Sequence, residues 1–151
     1  MGFFPSHALL PGHPKPLPHL VIAEHEEALL LDTEGYVSEG SGENVFIVRN
    51  GVLKTTPLTS VLPGITRDSV IQIAKNKRVV LIEERFSRDE VYTAQEVFFT
   101  GTAAEITPIR EVDDRKIGDG KPGPITKELQ STFFDIVKGK NTEYREWLDY
   151  L

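Results

Sequence analysis

The chain has 151 residues, of which 39% are hydrophobic and 26% charged, as is ordinary for one globular domain. Its net charge of −6 argues against a general nucleic-acid binder, which carries a basic surface. No apolar run approaches the ~20 residues that span a bilayer, and the lack of cysteine excludes disulfides, thiolate metal sites and a cysteine nucleophile. We therefore expect a cytoplasmic protein that binds neither nucleic acid nor membrane.

Residues 1–25 differ in composition from the rest of the chain. They hold all four histidines and five of the ten prolines, and closely spaced prolines suit neither a helix nor a central strand. The histidines recur every six residues, at His7, His13, His19 and His25. That spacing, interrupted by prolines, matches no known arrangement of metal ligands. We predict a poorly ordered arm without a metal site over 1–25 and one domain over 26–151.

The next segment predicts an antiparallel meander over residues 28–56. Its strands are expected at 28–31, 36–37, 45–49 and 52–55. Asn50-Gly51 joins the last two strands, because both residues tolerate the positive φ of a type I′ hairpin turn.

A polar turn at residues 38–44 leads into the apolar strand that follows it. The turn holds two carboxylates and an amide, at Glu39, Glu43 and Asn44. Its glycines allow a ligand to approach the backbone closely. Two interpretations stay open: a carboxylate aimed at a bound molecule, or a hairpin turn with solvated acids.

A helix is predicted over 67–76, with Thr66 as its N-cap. The free N–H groups at a helix start, together with a hydroxyl, favour an anion such as phosphate. Most capped helices bind no ligand, however, so the alternative is that Thr66 only caps the helix.

The remaining elements follow in order along the chain. A buried strand is expected at 79–82, a short helix at 88–94 after a capping box at Ser87, and further strands at 96–100 and 105–112. A polar loop at 113–121, a helix at 125–138 and a docked amphipathic turn at 144–151 complete the prediction. The four small residues at 101–104 either expose backbone N–H groups to a ligand or allow two strands to pack tightly.

Three stretches together resemble the class IV aminotransferases, and are most similar to the branched-chain amino acid aminotransferases. They are LDTEGYVSEGSGENVF at 31–46, LPGITRD at 62–68 and GTAAEITP at 101–108. The resemblance extends over about residues 26–151. It implies an α+β fold, namely the C-terminal, large, cofactor-binding domain of the fold-type IV enzymes: a mixed and antiparallel partial barrel flanked by helices.

The resemblance also implies a pyridoxal 5′-phosphate site. Glu39 would face the pyridine nitrogen of the cofactor, because a carboxylate there keeps that nitrogen protonated. The other implied cofactor-binding residues are Leu62, Gly64, Ile65, Thr66, Gly101 and Thr102. The amides of Thr102 and Ala103 would meet the substrate α-carboxylate. The implied partners are branched-chain amino acids and 2-oxo acids, within a homo-oligomer.

The chain departs from the family at the catalytic lysine. The family binds its cofactor as a Schiff base on a lysine, which by spacing would fall within the first few residues here, and residues 1–14 contain none. We therefore assign no catalytic residue, and we expect a truncated chain with a replaced N-terminus that does not transaminate alone. A less favoured alternative has Lys15 supply the amine.

Two other functions stay open. D-amino acid aminotransferase and aminodeoxychorismate lyase share the implied fold and the acid at Glu39. A different class of function is a noncatalytic partner that docks on a complete subunit or on its own copy.

Overall fold

The computed structural model describes residues 19–22, 27–59 and 61–148, with side chains described from residue 27 onward. Within these ranges the strands are β1 His19–Ile22, β2 Glu27–Leu31, β3 Val37–Gly40, β4 Asn44–Arg49, β5 Val52–Thr55, β6 Leu81–Glu83, β7 Glu96–Gly101, β8 Glu105–Pro108, β9 Glu111–Val112 and β10 Arg115–Lys116. The helices are α1 Ile65–Asn76, α2 Arg88–Tyr92, α3 Pro124–Val137 and a 3₁₀ helix, Thr142–Trp147.

Among the described residues, the centre of the fold is a five-stranded mixed sheet in the order β6-β5-β4-β7-β8. Only the β5–β6 pair is parallel in this sheet. A second sheet, in the order β1-β2-β3, is antiparallel. The predicted α+β class, with mixed and antiparallel strands and flanking helices, is confirmed.

The apolar residues of β4 alternate between two buried clusters, since successive side chains of a strand point to opposite faces. Val45 and Ile47 pack with residues of β2, β3 and β7. Phe46 and Val48 pack with residues of α1 and α3 on the other face. Phe46 stacks on Phe98 of β7 with ring centroids 5.0 Å apart. The central sheet is therefore covered by a sheet on one face and by helices on the other.

Several local predictions are confirmed. Asn50 and Gly51 both have positive φ at the β4–β5 turn. Ser87 forms the predicted capping box with Glu90 at the start of α2. Gly139 follows α3 with a φ of 68°. The C-terminal turn docks as predicted, with Tyr144 buried and in edge contact with Trp147, while residues 149–151 lie outside the described part.

Three strand predictions are wrong in part. The predicted meander is divided between two sheets at 38–44. β3 pairs with β2, whereas β4, which is apolar on both faces, pairs with β5 and β7. The strand at 79–82 is an edge strand shifted to β6, and Val80 and Ile82 are exposed. The strand at 105–112 divides into β8 and β9, because β8 pairs with β7 whereas β9 turns to pair with β10.

Short strands also lie where none was predicted. β1 falls within the segment 1–25 and pairs with β2, and β10 falls within the predicted loop 113–121. Residues 1–18 and 23–26 lie outside the described part, so the proposed arm and domain boundary stay predictions. None of the helices in the described ranges is long and apolar enough to cross a membrane.

Candidate cofactor site

A cavity of about 320 Å³ opens where β3, β4, β7 and the start of α1 meet. It is lined by Glu39, Ser41, Gly42, Glu43, Asn44, Leu62, Pro63, Gly64, Ile65, Thr66, Thr100, Gly101 and Thr102. All seven residues that were predicted to bind a cofactor line this one cavity. Glu39, from β3, therefore shares a surface with Thr66 of α1 and Thr102 after β7.

Glu39 is fixed by the backbone of the segment that precedes α1. Its Oε2 accepts a hydrogen bond from the Leu62 amide at 3.1 Å. The Leu62 carbonyl in turn accepts from Nδ2 of Asn44 at 2.9 Å. The backbone of Leu62 thus connects Glu39 of β3 to Asn44, the first residue of β4. The Leu62 side chain stays 74% exposed beside them, and it offers an apolar surface at the cavity.

The buried Asn44 also fits closely against Gly64. A Cβ placed on Gly64 would lie 2.2 Å from Asn44 Oδ1, so a larger residue here would displace the Asn44 amide. Asn44 is 4% exposed. Its Nδ2 donates to the carbonyl of Leu62, and its Oδ1 lies close to Gly64, the residue before α1.

The start of α1 supplies donors for an anion. The helix begins at Ile65 with Gly64 as its N-cap, so the prediction of Thr66 as N-cap is wrong. Gly64 has no side chain to cap the helix, and Asp68 is the residue whose amide bonds back to the Gly64 carbonyl. The amides of Ile65 and Thr66 have no carbonyl one turn earlier within the helix. They lie at the cavity wall together with the Thr66 side chain.

The end of β7 forms another part of the cavity wall. Thr100 is completely buried, and its Oγ1 has no hydrogen-bond partner among the described residues. An unpaired buried hydroxyl is costly, so a polar group of a bound molecule or an ordered water would stabilise this wall. Gly101 lies close to Glu43, since an added Cβ would be 3.2 Å from Glu43 Cγ. No role was predicted for Thr100, although a polar residue that ends an apolar strand is a usable signal.

Ala103 is the one predicted site residue outside the cavity lining. It is exposed in the turn between β7 and β8, directly after Thr102. Its contact with a substrate carboxylate stays a prediction. Lys15 lies outside the described residues, and no group of three or more His, Asp or Glu side chains within the described part is arranged to hold a metal ion.

Glu43 is the second carboxylate of the cavity, and its charge is disfavoured. Partial burial raises the pKa of the Glu43 carboxyl above its usual value, and the negative charge of Glu27 adds to the rise. The Gly42 amide, which donates to Glu43 Oε2 at 3.1 Å, opposes this effect. Ionised Glu43 therefore costs the folded state free energy at neutral pH.

Glu43→Gln is expected to stabilise the fold at neutral pH and to have no effect near about pH 4. Folding raises the pKa, so the unfolded chain releases the proton first and the parent loses stability as the pH rises through the unfolded value of 4.5. Urea unfolding of parent and variant at the two pH values measures the difference. Glu146→Gln, at an exposed position, is the control. An equal gain at both pH values would attribute the effect to packing of the amide instead.

Residues 19–112 match the family model for amino-transferase class IV. The chain belongs to this family. The matched segment includes Glu39, the start of α1 and the end of β7, so the cavity lies within the family's shared region.

Named relatives of this class IV aminotransferase chain are branched-chain enzymes. It is 56% identical over 122 residues to the branched-chain-amino-acid aminotransferase of Pseudomonas aeruginosa, covering 81% of the chain and 40% of that protein. It is 49% identical over 126 residues to the enzyme of Escherichia coli strain K12, covering 83% of the chain and 41% of that protein. The chain thus spans about two fifths of the length of these curated relatives.

Solved structures agree with the class IV fold. The T.th. branched-chain amino acid aminotransferase, complexed with N-(5′-phosphopyridoxyl)-L-glutamate, superposes with a TM-score of 0.81 at 51% identity. The match covers 83% of this class IV chain and 42% of that chain. A structure of the same enzyme holds pyridoxamine 5′-phosphate.

Proposed function

We propose that this chain is the cofactor-binding part of a branched-chain amino acid aminotransferase and that its cavity holds pyridoxal 5′-phosphate. The observation that carries the proposal is the meeting of Glu39 with the start of α1 in one cavity. An acid and main-chain donors in one cavity match a molecule with a basic ring nitrogen and a doubly charged phosphate. Glu39 on a different surface from α1 would have removed this basis.

The described residues fit the ring nitrogen, one ring face and the phosphate of the cofactor. Glu39 is already oriented by the Leu62 amide, which limits the freedom of its carboxylate. The exposed Leu62 side chain suits one face of the ring. The buried Thr100 hydroxyl, unpartnered among the described side chains, agrees with a polar molecule at this wall. When bound, the cofactor would supply an electron sink that lets an amino group move between an amino acid and a 2-oxo acid.

The described residues of the chain would bind and orient the cofactor and would not transfer protons. The amides of Ile65 and Thr66, with the Thr66 and Thr102 hydroxyls, would hold the phosphate, and Glu39 would keep the ring nitrogen protonated. Of the described residues that line the cavity, none is a lysine. We therefore retain the prediction that this chain alone does not transaminate.

The comparisons support a substrate class as well as a cofactor. Relatives at 49% to 56% identity are named branched-chain-amino-acid aminotransferases, which favours leucine, isoleucine and valine, with their 2-oxo acids, over the D-amino acid and aminodeoxychorismate alternatives. The cytoplasmic location, the homo-oligomer and the noncatalytic partner role stay predictions.

Titration with pyridoxamine 5′-phosphate, followed by calorimetry, tests the proposal. This ligand is an amine and cannot form an imine with surface lysines, so the titration reports noncovalent binding only. We expect one site per chain and about tenfold weaker binding in Glu39→Gln, since a charge-assisted hydrogen bond is lost. Glu146→Gln removes the same charge from an exposed position outside the cavity and should bind as the parent does. No saturable binding, or equal affinity in both variants, would refute the proposal.

A further inference from the structure

The proposed cofactor would reach from Glu39 to Thr66, which are here called the two ends of the cavity and which lie on separate elements. Glu39 lies in β3, within the sheet β1-β2-β3, whereas Thr66 lies in α1, which follows β5 of the central sheet. A ligand that spans both ends binds well only when these elements keep one separation, because preorganisation lowers the cost of binding.

Thr56, directly after β5, links the two elements beneath the cavity. It is 1% exposed. Its hydroxyl donates to the carbonyl of Ser38 at 3.0 Å, and its own carbonyl accepts from Nη2 of Arg67 at 2.9 Å. Ser38 is the residue before Glu39, and Arg67 is the residue after Thr66. One residue therefore touches the neighbours of both cavity ends.

Arg67 anchors the helix end of this connection. Its side chain is 1% exposed, and Nη2 also donates to Oε2 of Glu83 in β6 at 2.6 Å. A guanidinium offers rigid, planar donors, so it holds its partners in a fixed geometry more firmly than a lysine could. A buried arginine in the first turn of α1 thereby ties that turn to β5 and β6.

We propose that Glu83, Arg67, Thr56 and Ser38 form a positioning relay that sets the distance between Glu39 and the start of α1. The inference rests on the proposed function, since it concerns a ligand that reaches both ends. Neither Thr56 nor Arg67 lines the cavity, so both act through Ser38 and Thr66 rather than by contact with the ligand.

Thr55 offers a matched control for Thr56. It is also fully buried, and its hydroxyl also donates to a backbone carbonyl, that of Val45 at 2.8 Å. That bond stays within the β4–β5 pair and does not reach β3. Thr55→Val and Thr56→Val each lose one buried hydroxyl with almost no change of shape, so they should lower the free energy of unfolding by similar amounts.

The test compares a ligand that reaches both ends with one that reaches only the helix end. Pyridoxamine 5′-phosphate is the first and inorganic phosphate the second. Thr56→Val should weaken pyridoxamine 5′-phosphate binding about fivefold, as expected for one lost buried hydrogen bond, and phosphate binding less than about twofold. Thr55→Val should change neither affinity. Thr56→Ser, which keeps the hydroxyl, should restore the affinity of the parent.

Arg67→Lys is a second probe of the same relay. It keeps the charge but replaces the planar Nη2 group that donates to both the Thr56 carbonyl and Glu83 Oε2 with a shorter, flexible ammonium, so the same selective loss is expected. Equal weakening of both ligands, or equal effects of Thr55→Val and Thr56→Val, would overturn the relay while leaving the proposed function intact. Failure of the parent chain to bind pyridoxamine 5′-phosphate would overturn the proposed function first, and the relay with it.

Discussion

Gly64→Ala is expected to weaken binding of pyridoxamine 5′-phosphate about tenfold or more, because it breaks a partly buried hydrogen bond and displaces the cavity-lining segment 62–65. The added Cβ would lie 2.2 Å from Asn44 Oδ1. Gly64 has a φ of −83°, so the backbone itself accepts alanine and the effect is steric. Asn44 must rotate, and its 2.9 Å bond to the Leu62 carbonyl is lost. The segment that carries Leu62 and leads into Ile65 then moves.

A double variant shows whether the effect passes through Asn44. Asn44→Ala alone loses the bond to the Leu62 carbonyl, and adding Gly64→Ala to it should cause little further loss, since the clash is gone. Gly42→Ala serves as the control for stability, because an added Cβ there meets no atom within 4 Å. Fully additive losses of affinity in the double variant would contradict the steric account. Calorimetric titration and urea unfolding measure the two quantities.

The parts of the fold that the sequence predicts are those set by neighbouring residues. The Asn50-Gly51 turn needs only two residues that accept positive φ, and the Ser87 capping box needs only a hydroxyl and an acid three residues apart. The pairing of strands depends on distant partners instead. A strand that is apolar on both faces, such as β4, lies inside a sheet and pairs with a strand on each side. The residues around Gly40 give no sign that β3 belongs to a different sheet.

The candidate site divides in the same way. The motifs at 31–46, 62–68 and 101–108 predict which residues form the site. The structure brings every predicted site residue except Ala103 into one cavity. The sequence does not reveal the contacts that hold them in place. Arg67 looks like an ordinary polar residue of a helix start, and its burial depends on Thr56 and Glu83, 11 and 16 residues away.

Glu96→Ala is expected to lower the free energy of unfolding by at least about 3 kcal/mol, since several buried donors lose their acceptor. Glu96 is 5% exposed and begins β7. Its carboxylate accepts from the Ile125 amide at 3.2 Å, from the Thr126 amide at 2.7 Å and from the Thr126 hydroxyl at 2.6 Å. It thus fills the place of an N-cap for α3, whose own N-cap, Gly123, has no side chain. A negative charge at a helix start adds to this stabilisation.

Two variants separate the shape of Glu96 from its charge. Glu96→Gln keeps the volume and one acceptor oxygen but places an N–H₂ group against donors, so about half of the loss is expected. Thr126→Val removes one donor and should cost about 1 kcal/mol. Urea unfolding measures each variant. Because β7 runs from Glu96 to Gly101 at the cavity, saturating pyridoxamine 5′-phosphate should partly restore the stability of Glu96→Ala. A loss below about 1 kcal/mol in Glu96→Ala would show that α3 is held by its apolar face instead.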